Sequence, residues 1–139
     1  MSIDVLEEVL IQKIALLEST IKNVHQVIKA QAEGEDAEVL MTQVEAIKAA
    51  RKQIHQLDLV FLTAYERFLK SAEVDAPEKL PKEIKQQFKK AQQSIVHIQD
   101  LTAIFSSMEA SYDAAAEDIQ KTVAQQRKFD SAQRAYRHK

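Results

Sequence analysis

The chain has 139 residues with a single glycine, two prolines and no cysteine, which excludes a disulfide framework, a thiolate metal site and the turn-rich composition of a β protein. Apolar residues at 45% and charged residues at 29% are those of a soluble, folded domain, long enough to bury a core of its own. The net charge of −2 divides unevenly: residues 127–139 hold five Lys/Arg against one Asp, and the preceding 126 hold 14 against 20 acidic residues, a body of the wrong sign for nucleic-acid binding.

The opening "MSIDVLEEVL" has neither a basic region nor an apolar core, so no secretory signal is expected, and a cytoplasmic location follows as the default reading. Apolar runs such as "LVFL" at 59–62 are far too short to cross a membrane. Ile3, Leu10, Leu17 and Val24 recur every seventh residue, as do Ile14, Ile21 and Ile28, which makes a heptad seam on a helix over 3–32. Ser2 or Asp4 can cap its start.

The lone glycine, Gly34, stands where this periodicity stops. A helix ends at low cost when the next residue is left-handed, a conformation glycine adopts readily. Asp36 then offers an oxygen to new amide groups, so "AEGEDAE" reads as a tight joint between antiparallel helices. The second helix, from Asp36 to about Ala72, carries Leu40, Ile47, Ile54, Phe61 and Phe68 in sevens, widened by Val44, Ala50, Leu57, Ala64 and Tyr65. Arg51 and Asp58 border this stripe as a flanking ion pair or as solvated charges.

Residues 73–81 are a linker holding both prolines, and Pro81 suits the first turn of a third helix. From there Ile84, Ala91, Ile98, Phe105, Tyr112 and Ile119 keep strict sevens, with Phe88, Ile95, Thr102, Ala116 and Val123 in the second series. The unbroken register favours one continuous helix over a break near "SSMEASYD". The expected fold is all-α, a single-domain antiparallel bundle of three long helices; the alternative is a break in the third, which would give four.

Lengths then conflict. At ~1.5 Å per residue the first two helices are about 45 and 55 Å long, whereas the third exceeds ~80 Å. Cover from the first two is expected only to residues 110–115. The seam beyond, with Phe129 and Tyr136 in a shifted register further out, either meets a partner or is buried by a fold-back of the third helix. Phe105, Tyr112, Ile119, Val123, Phe129 and Tyr136 are therefore the candidate partner-binding residues. The basic tail, 124–139, complements the negative end of its helix or touches an acidic partner.

Catalytic chemistry finds no foothold. His25, His55, His97 and His138 lack E-x-x-H or H-x-x-x-H spacing, so no metal site and no cofactor are expected. One glycine rules out a phosphate loop, and Ser106 and Ser107 sit in mid-helix with no strained turn to present a nucleophile. "HQVIKA" at 25–30 resembles the motif of histidine phosphotransfer bundles, with one extra residue before Lys29 and Ala30 at the usual glycine or serine position.

The long heptad helix, the acidic glycine turn and "EDAEVLMTQVEAIKAARKQIHQLD" together resemble the flagellar export chaperones. These are small bacterial proteins that escort hook-associated or filament-cap subunits to the type III export apparatus. The resemblance is strongest over residues 10–60. It implies a non-enzymatic, ATP-independent cytoplasmic protein that captures an amphipathic helix of its client along its C-terminal helix. The alternatives are a coiled-coil scaffold that self-associates as a homodimer and, ranked below it, a phosphotransfer module acting through His25.

Overall fold

A computed structural model describes residues 3–137. Three helices account for nearly all of it: α1 (Ile3–Ala32), α2 (Ala37–Ser71) and α3 (Lys82–Arg137), with a short 3-10 turn at Pro77–Lys79 between α2 and α3. All three pack on one another, and α1 is the middle element, in contact with both others. The Ser2 cap, His138 and Lys139 lie outside the described residues. α3 is a single unbroken helix of 56 residues.

The joints follow the local chemistry. Gly34 has φ 77°, its N–H donates to the Gln31 carbonyl, and the Glu35 N–H donates to the Ala30 carbonyl. This pair of bonds satisfies carbonyls that the helix end would leave unpaired. Asp36 caps α2, accepting from the Glu38 N–H at 3.2 Å. α2 ends in the same way, with Glu73 N–H on the Lys70 carbonyl and Val74 N–H on the Leu69 carbonyl. Here the left-handed position is held by Glu73, at φ 59°, where no glycine is available. Val74 packs into the core in return.

The core has two sections. The lower joins Leu6, Leu10 and Leu17 of α1 to Ala64, Phe68 and Leu69 of α2 and to Phe88, Ala91, Ile98 and Leu101 of α3. Phe68 and Phe88 stack there at 5.6 Å, and Leu80 of the linker closes the bottom. The upper section joins Val24 and Val27 to Leu40, Val44 and Ile47, and to Tyr112, Ala116, Ile119 and Val123. So α1 and α3 run parallel, with α2 antiparallel to both.

This upper section corrects the expectation that α3 outruns its cover near residue 115. Tyr112, Ile119 and Val123 are 4%, 2% and 3% exposed, buried by α1 and α2 of the same chain without any fold-back of α3. Helix lengths alone understate the height of the hairpin. The 33–36 turn and the first turn of α2 rise above α1, and Gly34, Asp36 and Leu40 stand beside Ile119 and Thr122.

Candidate functional site: the α3 extension and the α1/α2 groove

The six candidate binding residues separate into three environments. Tyr112, Ile119 and Val123 belong to the core. Phe105 is half-buried beneath Arg51, whose guanidinium lies 5.0 Å from the Phe105 ring centre and 5.7 Å from that of Tyr112. Phe129 and Tyr136 are free, at 62% and 82% exposure.

Arg51 thus has a structural role. It reaches from α2 to α3, stacks on two rings and pairs with Glu109 at 3.6 Å and Asp113 at 3.8 Å. Cation–π attraction and charge act together at this seam. Burial raises the Tyr112 hydroxyl pKa, Arg51 pulls it back and Asp113 pushes it up again, so the side chain stays a neutral phenol near pH 7. Asp58, the other charge bordering the α2 stripe, pairs with Lys13 across α1 and α2.

Among the described residues, the last hydrogen bond between α3 and the rest of the chain is a forked approach of Arg127 to Glu38, at 3.4 Å from both Nε and Nη2. Every residue from Ala124 to Arg137 is exposed, yet all are helical. Ala, Gln, Arg and Lys favour helix intrinsically, and Arg134 and Arg137 suit the negative C-terminal end. Phe129 and Tyr136 are one heptad apart on one face, so the extension offers two aromatic anchors about 10 Å apart on a basic rod.

A second surface was not singled out by the heptad pattern. A groove with an apolar floor runs along the joint of α1 and α2, lined by those two helices alone. One hollow lies between Ala15 and Leu16 on one wall and Leu57 and Val60 on the other. A second, sharing Val60, extends to Val5, Ala64 and Arg67. Val5 and Val60 are 41% and 50% exposed. Val5 and Val60 lie off the sevenfold series, whereas Leu57 and Ala64 were read only as widening the α2 stripe.

Histidines give no constellation. His25 and His55 are exposed, and His97 on α3 sits 3.3 Å from Glu18 on α1. Among the described residues no group of three or more His, Cys, Asp or Glu side chains is placed to hold a metal ion. Among those residues, too, no helix is long and apolar enough to cross a membrane. Comparison with known protein families, curated proteins and solved structures finds no match.

Proposed function

We propose that the chain is a non-enzymatic helical binding protein that engages a client helix through the C-terminal extension of α3, as a cytoplasmic export chaperone of the flagellar or type III kind would. The observation that carries this reading is the pair Phe129 and Tyr136, exposed on the part of α3 that continues beyond the Arg127–Glu38 contact. Large aromatics at helical spacing supply affinity when an amphipathic partner helix covers them. The resemblance over residues 10–60 supplies the class of client, and the basic side chains around the anchors favour an acidic one.

The test is calorimetric titration with purified hook-associated and filament-cap subunits encoded in the same genome. A 1:1 complex in the micromolar range is expected with one of them, and F129S/Y136S should weaken it at least tenfold while leaving helicity intact. Absence of binding to all of these subunits, or binding indifferent to F129S/Y136S, would sink the reading.

A further inference from the structure

We infer that the α1/α2 groove is the acceptor for the α3 extension of a second copy of this chain. Beyond the Arg127–Glu38 contact the extension is ten residues long, about 15 Å as helix, and fits within the groove, which rises about 21 Å from Val5 to Ser19 on α1. Phe129 and Tyr136 stand two turns apart. The two hollows share Val60, and their α2 walls, around Leu57 and Thr63, are centred about 9 Å apart. Two anchors at this spacing meet two hollows at nearly the same spacing.

The extension cannot fill its own groove. Arg127 is still held at Glu38 beside the hairpin turn, whereas Val60 lies 22 residues down α2, about 33 Å away along the helix. α3 is straight-through helix to Arg137, so its end points away from the groove of its own chain. Charge agrees with a second copy: the extension is basic and the remaining body carries the acidic excess. Among the residues lining the two hollows only Arg67 is charged, and the extension brings Asp130, next to the Phe129 anchor, as its partner.

Each copy has one extension to give and one groove to fill, so two copies either exchange extensions about a two-fold axis and close as a dimer, or associate head to tail with a size that grows with concentration. This does not rest on the client reading: it needs no client, and its failure leaves Phe129 and Tyr136 open to one.

Sedimentation equilibrium on the full chain tests it, with the extension variant F129S/Y136S and the groove variant V5K/V60K. All four positions are exposed, and circular dichroism verifies folding; V60S serves as a milder groove variant should V5K/V60K melt early. The wild type should gain average mass through the micromolar range, while each variant alone stays monomeric. An equimolar mixture should form a 1:1 pair, because the groove variant still donates an extension to the intact groove of the other chain. A wild type monomeric throughout, a variant that still associates alone, or a mixture that stays monomeric would each overturn the proposal.

Discussion

The two parts of α3, Lys82–Val123 and Ala124–Arg137, belong to one helix and differ in what surrounds them. The first packs against α1 and α2 and contributes buried residues to both sections of the core, from Phe88 to Val123. The second buries none. No proline or glycine marks the change. The border falls where the α1–α2 hairpin ends, at the Arg127–Glu38 pair. Helix continuation is thus a local property of the backbone, and cover is a property of what stands alongside.

Ile119→Asp and Phe129→Asp put that contrast to its hardest test. Ile119→Asp places a carboxylate in the sealed upper core and should cost at least about 3 kcal/mol in urea denaturation. Phe129→Asp, ten residues on, should change stability by less than about 0.5 kcal/mol. Equal losses would mean that the extension is packed in solution. Arg51→Gln removes the guanidinium from two rings and two partly exposed carboxylates, and should cost about 1 to 2 kcal/mol, less at high salt. An unchanged melting curve would reduce Arg51 to a surface charge.

The two hairpin ends form a milder pair. Gly34→Ala meets no atom within 4 Å of the new Cβ, so its expected loss of about 1 kcal/mol is backbone strain alone. Glu73→Gly relieves the same strain in the other joint and should stabilise by about 0.5 to 1 kcal/mol, net of the added freedom of the unfolded chain. The smallest effect belongs to deletion of residues 124–139, which should leave the melting temperature within about 2 °C of the full chain. Hydrogen exchange at a concentration low enough to keep the chain monomeric should show the same border, slow up to Val123 and fast beyond it.

Much of this fold was legible in the sequence. The helix bounds, the glycine joint with its Asp36 cap and the continuity of α3 all follow from periodicity and capping chemistry. The seam of α1 was read too narrowly. Leu6 and Val27, both fully buried, lie off the sevenfold series because α1 packs more extensively on α2 and on α3 than those two pack on each other. A two-partner helix buries a wide arc, and a heptad count finds only part of that arc. The exposed candidate surface was half legible. Phe129 and Tyr136 stood out through their shifted register. Tyr112, Ile119 and Val123 were misassigned because residue counts do not include the height of a turn. The Arg51 stack needed coordinates, since nothing local joins position 51 to positions 105 and 112.

The middle position of α1 also sets the order in which the chain can fold. Its partners on α3 lie far along the sequence: Glu18 meets His97, and Gln31 meets Asp118. The α1–α2 hairpin can close early through its short turn, but the other side of α1 must wait for α3. At ribosomal rates of about 5 to 20 residues per second, that side stays bare for several seconds during synthesis. Docking of α3 onto a preformed hairpin is then the slow step, and refolding should lag behind that of a bundle built from neighbouring contacts alone.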